Sequence, residues 1–214
     1  MPTTAPMQIK ICGIRTPQHA QVAVACGATH IGLVFAESKR RVDSTTGRAI
    51  VVAARAMRRP VQCVGLFVNE QSARVRELVA ECGLDMVQLS GDETPAVLAA
   101  LSGLPIIKAV RLAGAAHDAD WIASDPAHVS LLVDAHVAGS YGGAGVVADW
   151  QAAAVLARTR PIWLAGGLDP ANVVDAIGQV RPWGVDVSSG VERDGHKHSS
   201  AIAAFVAQIS RCTA

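Results

Sequence analysis

Two residues could do proton chemistry from strand ends. Cys12 closes the short run "QIKIC" and is followed at once by Gly13, so the backbone can turn away from the thiol. Asp134 terminates the apolar run "VSLLVD". Two readings stand for Cys12: a buried structural cysteine, or a reactive group presented at the rim of a sheet or barrel. Side chains alternate along a strand, so Lys10 shares the face of Cys12. A nearby ammonium lowers a thiol's pKa from about 8.5. Lys10 reads equally as a buried charge paired with a carboxylate for structure. Asp134 is costly to bury unless it is paired or used, and its plainer reading is a turn or capping aspartate.

A second group of residues suits an anion. "LAGGLDPANV" places Gly166 and Gly167 just past an apolar run, and "GVDVSSGVE" does the same with Ser188, Ser189 and Gly190. Glycine lets backbone N–H groups approach an anion, and serine hydroxyls add donors. Ordinary tight turns are the alternative. In "ESKRRV", Arg40 can hold an anionic group over a rim or stand as a solvated charge. In "VQLSGDE", Gln88 and Ser90 share one face and can line a pocket. The glycines of "GSYGGAGVVADW", Gly139, Gly142, Gly143 and Gly145, read as a mobile loop, with Asp149 as a helix cap.

The elements that must position these residues follow from periodicity. Eight strand candidates begin near Ile9, His30, Val61, Asp85, Pro105, Val129, Pro161 and Gly184. Amphipathic stretches fill every gap, several opening on Pro, Ser, Thr or Asp and several closing on glycine. Alternation throughout 214 residues gives units of about 27 residues, which predicts a single parallel (β/α)8 barrel rather than an open doubly wound sheet. Barrel chemistry sits at the C-terminal ends of the strands, and phosphate often binds after strands seven and eight. Cys12 and Asp134 meet the first condition, and the two glycine-containing turns meet the second.

Composition narrows the function further. Lys and Arg number 19 against 18 Asp and Glu, with no basic stripe, so nucleic acid is not an expected partner. Five cysteines without CxxC spacing argue against a disulfide framework and a zinc site, and fit a reducing cytoplasm. Residues 1–7 lack the pattern of a signal peptide and read as a loosely held extension of the one domain, 1–214. No apolar run is long enough to span a bilayer.

Taken in order, "KICGIR", "GLVFAESKRRV", "VGLFVNE", "VQLSGDE", "LLVDA", "GGAGVVADW", "LAGGLDPANV" and "VDVSSGVERDGHK" resemble the phosphoribosylanthranilate isomerases, from about Ile9 to the last helix. The resemblance implies a (β/α)8 barrel that performs an Amadori rearrangement of a small phosphosugar in tryptophan biosynthesis. It implies no metal and no organic cofactor, and a monomer or homodimer. Cys12 then looks like the general base and Asp134 the general acid, the first needing a lowered pKa and the second a raised one. Arg40 matches the arginine beside the substrate's anthranilate carboxylate. Gly166, Gly167, Ser188, Ser189 and Gly190 match the phosphate cradle. Gln88 and Ser90 fall among the pocket residues. Asp186 matches an acidic residue near the site, but can serve as partner to Lys10 or Lys108. Three positions depart from the family pattern: Ser90 stands for the usual histidine, His198 for an acidic helix start, and Ala148 for an aromatic residue. The sister sugar isomerase of histidine biosynthesis resembles this barrel but uses aspartate where this chain has Cys12. Indole-glycerol phosphate synthase shares the phosphate site but needs strand-end lysines not found here. A non-catalytic phosphate-ligand barrel is the reading from another class.

Overall fold

A computed structural model describes residues 6–112, 116–125, 127, 129–134 and 149–213. Its barrel strands are β1 (Gln8–Cys12), β2 (His30–Val34), β3 (Gln62–Phe67), β4 (Met86–Leu89), β5 (Ile106–Val110), β6 (Val129–Val133), β7 (Ile162–Leu164) and β8 (Gly184–Val187). Between and after them run α1 (Pro17–Cys26), α2 (Ser44–Arg55), α3 (Ser72–Cys82), α4 (Val97–Ala100), α5 (Ala116–Ile122), α6 (Trp150–Ala157), α7 (Val173–Val180) and α8 (Ser199–Thr213). All neighbouring barrel strands pair in parallel, and β8 returns to β1 to close the ring. Parallel pairing forces each connection to cross over, and a helix is the usual crossover. The (β/α)8 expectation is met.

Local sequence sets the helix ends. The Thr16 hydroxyl accepts from the His19 N–H, with Pro17 opening α1. Asp43 caps α2 through the Thr46 N–H, and Asp149 caps α6 through Gln151 and Ala152. Gly27 and Gly83 end α1 and α3 in the left-handed conformation that glycine adopts without strain. Of the amphipathic stretches, "TPAVLAALSG" is helical only over Val97–Ala100, because Pro95 and the positive-φ Gly103 punctuate it on both sides. Periodicity did not predict a 3-10 turn (Ser189–Val191) and a hairpin of β9 (Glu192–Arg193) and β10 (His196–Lys197). Strands of two residues carry no alternation. The loop glycines 139–145 and Ala148 lie outside the described residues.

Alternation and register sort the inward side chains into layers of four from alternate strands, as a closed eight-stranded barrel requires. Lys10, Val64, Ile107 and Trp163 share one layer, and Gly32, Gln88, Leu132 and Asp186 the next. Cys12, Leu66, Ala109 and Ala165 lie above, and Val34, Ser90, Asp134 and Ser188 stand at the rim. The lower end is plugged by rings. His30 meets Trp163 edge-on at 4.8 Å, and Trp163 meets Trp183 at 5.0 Å. A Cβ at Gly184 would lie 2.7 Å from the Trp163 ring, so the plug needs glycine there. Burial and the charge of Lys10 hold His30 at about 4, so the plug is neutral at pH 7. Outside the strands, the helices cover the larger core, including Ile11, Ile31, Leu131 and Phe205. No helix among the described residues is long and apolar enough to cross a membrane.

Trp163 is fully buried in the plug, below the rim. Trp163→Ala is expected to cost about 3–5 kcal/mol in urea unfolding while leaving substrate KM within about twofold. A loss below about 1 kcal/mol would show that the plug is not a structural layer.

Candidate active site

The site starts from a buried charge. Lys10 is fully enclosed, and its Nζ donates to Asp186 Oδ1 at 2.9 Å. β1 and β8 pair with Lys10 opposite Asp186, so sheet register brings them together. One layer up, Cys12 is 5% exposed. A Cβ at Gly32 would lie 2.8 Å from Cys12 Sγ and 3.1 Å from Lys10 Nζ. Glycine on β2 therefore opens the space in which thiol and ammonium meet. Burial works against the charge of Lys10, but Asp186 and Cys12 more than offset it and its pKa is raised. Lys10 is an ammonium.

The thiol departs from expectation. Burial pushes Cys12 above its ordinary pKa; Lys10 and Lys197 oppose the rise and Asp186 adds to it. The sequence predicts the reverse from the ammonium alone. Lys10 is already paired with Asp186, so the thiolate meets little net positive charge, and desolvation prevails. Of the two partners open to Asp186, the geometry commits it to Lys10; Lys108 binds Glu93 at 2.7 Å.

Above Cys12 lies a second buried charge cluster. Arg40 is not solvated: its Nε and Nη2 donate to Glu192 Oε1 and Oε2 at 2.7 and 2.9 Å. Lys197 Nζ donates to the same Oε1 at 2.7 Å and to Ser188 O at 2.8 Å. The Ser188 hydroxyl donates to Cys12 O at 3.2 Å. Burial opposes ionisation of Glu192, but its two cations hold the carboxyl at about 2. Gly13 has φ +76, and a Cβ on it would lie 2.5 Å from Arg40 Cδ. Gly13 therefore makes room for Arg40.

The glycine turn after β7 and the serine–glycine turn after β8 meet. Gly166 and Gly167 both have positive φ. Among the described residues their N–H groups donate to no backbone acceptor. Asn172 Nδ2 donates to Gly167 O at 2.8 Å and steadies the turn. Ser189 and Gly190 begin the 3-10 turn, where the first N–H groups have no partner within the helix. A Cβ at Gly190 would lie 1.9 Å from Leu168 O, so only glycine allows the loops after β7 and β8 to touch.

Asp134 follows the last residue of β6, half-buried, with its N–H on Val110 O at 3.0 Å. β1 and β6 are three places apart on the ring, so Cys12 and Asp134 stand on different walls. Gln88 and Ser90 are buried on the β4 wall, with Gln88 Nε2 donating to Ser90 Oγ at 3.0 Å. Gln88 Oε1 is buried with no hydrogen-bond partner among the described residues. All the predicted site residues thus lie inside the barrel or at its C-terminal rim. Sequence reasoning did not single out Glu192 and Lys197. The available signal was Asp194-Gly195, a hairpin dipeptide with opposite charges at the paired positions 192 and 197. Among the described residues no group of three or more His, Cys, Asp or Glu side chains gathers as a metal site.

Fold and site define a (β/α)8 barrel with a thiol and a carboxyl on separate walls of its C-terminal end, beside two touching glycine-containing loops. The family model for N-(5'-phosphoribosyl)anthranilate (PRA) isomerase matches residues 9–208. A relative of that name from Roseiflexus sp. strain RS-1 is 56% identical over 205 residues, covering 94% of this chain and 96% of its own. The crystal structure of the Thermotoga maritima phosphoribosylanthranilate isomerase superposes with TM-score 0.83 at 31% identity, covering 96% of this chain and 99% of the other. A further structure of such an isomerase, in complex with reduced 1-(o-carboxyphenylamino)-1-deoxyribulose 5-phosphate, gives TM-score 0.77 at 30% identity over the same shares. The chain belongs to the N-(5'-phosphoribosyl)anthranilate isomerase family.

The raised pKa of Cys12 gives a spectroscopic test. The thiolate absorbance lost in Cys12→Ser should emerge only above the ordinary thiol range. Lys10→Met removes a cation that favours the thiolate, so that titration should move further up. A Cys12 thiolate already formed at neutral pH would contradict the assignment.

Proposed function

We propose that Cys12 and Asp134 are the base and acid with which this chain rearranges N-(5-phospho-β-D-ribosyl)anthranilate to 1-(2-carboxyphenylamino)-1-deoxy-D-ribulose 5-phosphate in tryptophan biosynthesis. The chain is an aldose–ketose isomerase by family. The observation that carries the residue roles is their placement within the matched span: the end of β1 for Cys12, just past β6 for Asp134.

The chemistry assigns the steps. Protonated Asp134 gives its proton to the ribose ring oxygen, the C1–O bond breaks, and the nitrogen lone pair completes a Schiff base. The ionised Cys12 thiolate then takes the proton from C2, and the electron pair moves into an enolamine. Tautomerisation to the ketone completes the product. Positioned acid–base groups each contribute about 10²- to 10⁴-fold. Lys10 and Lys197 favour the thiolate when it forms, against the burial that suppresses it at rest.

The other roles are positional. Gly166, Gly167, Ser188, Ser189 and Gly190 hold the phosphate through backbone N–H groups and hydroxyls. Arg40 takes the anthranilate carboxylate, and clamping both ends keeps the flexible sugar in reacting geometry. Gln88 and Ser90 line the pocket wall, Ser90 standing where the family usually has histidine. Asp186 holds Lys10 in place beside Cys12. All five cysteines are free thiols, which supports a reducing cytoplasm as the setting. We read the chain as a monomer or homodimer.

Cys12→Ser and Asp134→Asn should each lower kcat by about 10²-fold or more, followed by the loss of anthranilate fluorescence. Full activity in either variant would remove that residue from the mechanism. Retained tight binding of the reduced product analogue by an inactive wild type would favour the binding-barrel reading. Gly190→Ala forces the two loops apart and should raise KM by about tenfold or more, with kcat less affected.

A further inference from the structure

Glu192 is given no part in the proposed proton transfers, yet its carboxylate accepts three hydrogen bonds from two buried cations at the rim. Its Oε1 accepts from Arg40 Nε and Lys197 Nζ, and its Oε2 from Arg40 Nη2. A guanidinium offers two bidentate edges, Nε with Nη2 and Nη1 with Nη2. Glu192 occupies the first. Nη1 makes no hydrogen bond among the described residues, so the second edge stays available to another carboxylate. Arg40 is fixed at two further points: its stem passes the bare Cα of Gly13, and its own N–H donates to Ser38 Oγ at 3.1 Å. The guanidinium therefore has little freedom to turn.

The same carboxylate reaches the other end of the site. Lys197 links Glu192 to Ser188 O at 2.8 Å and to Ser188 Oγ at 3.3 Å. Ser188 heads the turn read as the phosphate cradle. Glu192 thus joins the group read as the carboxylate receptor to the group read as the phosphate receptor, through two direct contacts of 2.7 Å. The 192–197 hairpin holds it there, because Glu192 and Lys197 are cross-strand partners.

We propose that Glu192 is a positioning residue that selects for a carboxylate on the substrate: it holds the Arg40 guanidinium in one orientation with its outer edge presented, so that ligands bearing a carboxylate there are preferred. The inference rests on the reading of Arg40 as the carboxylate receptor. It assigns a role to an acidic residue that carries no proton in the reaction. A neutral amide at 192 accepts through one atom only and turns donors toward Arg40, so the guanidinium loses its fixed orientation.

The test is a ratio of affinities measured by calorimetry. One ligand is reduced 1-(o-carboxyphenylamino)-1-deoxyribulose 5-phosphate, and the other is its counterpart with a plain phenylamino group. Wild type should prefer the carboxylate form by about 10- to 100-fold, the worth of a charge-assisted contact. Glu192→Gln should reduce that preference to about threefold or less, with affinity for the plain form close to wild type. Glu192→Asp keeps the charge but retracts it, and should fall between; it decides the matter if Glu192→Gln does not fold. An undiminished preference in both variants overturns the proposal. Equal weakening of both ligands also overturns it, since a purely structural role would act on both. Loss of the preference in Arg40→Met, together with its loss in Glu192→Gln, supports the coupling. A wild type without preference, or an Arg40→Met that keeps it, sinks the Arg40 reading itself and the inference with it.

Discussion

The site depends on burying one ammonium at the centre of a barrel. Lys10 has no access to water and one carboxylate partner, Asp186, across the β1–β8 seam. Removing one member of such a buried pair costs about 3–5 kcal/mol. The pair therefore fixes the register at which the barrel closes. It also sets who its neighbours can be. Gly32 must be small, because a Cβ there would strike both Cys12 Sγ and Lys10 Nζ. Cys12 then meets Lys10, an ammonium already shared with a carboxylate. That sharing is why burial, rather than charge, dominates the thiol.

Above this layer the same economy is repeated with different partners. Glu192 balances Arg40 and Lys197, and Lys197 reaches back to Ser188, whose hydroxyl meets the Cys12 carbonyl. Cys12, Arg40, Glu192, Lys197 and Ser188 are thus members of one connected network on the β8–β1–β2 side. The carboxyl of Asp134 stands on another wall, beyond β8 and β7. Below both, His30, Trp163 and Trp183 close the barrel with a neutral, ring-packed plug. Stability is concentrated at the lower end and chemistry at the upper, as is usual for this fold.

The helices and strands were legible because their signals are local. Thr16, Asp43 and Asp149 mark helix starts in the sequence, and each makes the capping bond its type suggests. The inward faces of β1 and β8 follow from alternation, which placed Lys10 with Cys12 and Asp186 with Ser188 before any contact was seen. The short α4 was over-extended in the sequence reading, since alanines and leucines favour a helix whatever Pro95 and Gly103 impose nearby. The β9–β10 hairpin was missed because two-residue strands are defined by pairing, not by pattern.

By itself, the sequence determined the alternation of elements, the number of barrel strands, and the identity of the groups at strand ends. Those depend on residue type and spacing along the chain. Only the tertiary structure decided which charges neutralise one another: Lys10 with Asp186, Lys108 with Glu93, Arg40 and Lys197 with Glu192. It also decided that Gly13 yields its space to Arg40, that Gly190 admits the Leu168 carbonyl, and that the Cys12 thiol is raised rather than lowered. The reason is physical. A pKa, an ion pair and a close approach all depend on distance and on water removed by groups remote in sequence, and barrel closure brings residues 10 and 186 within 2.9 Å.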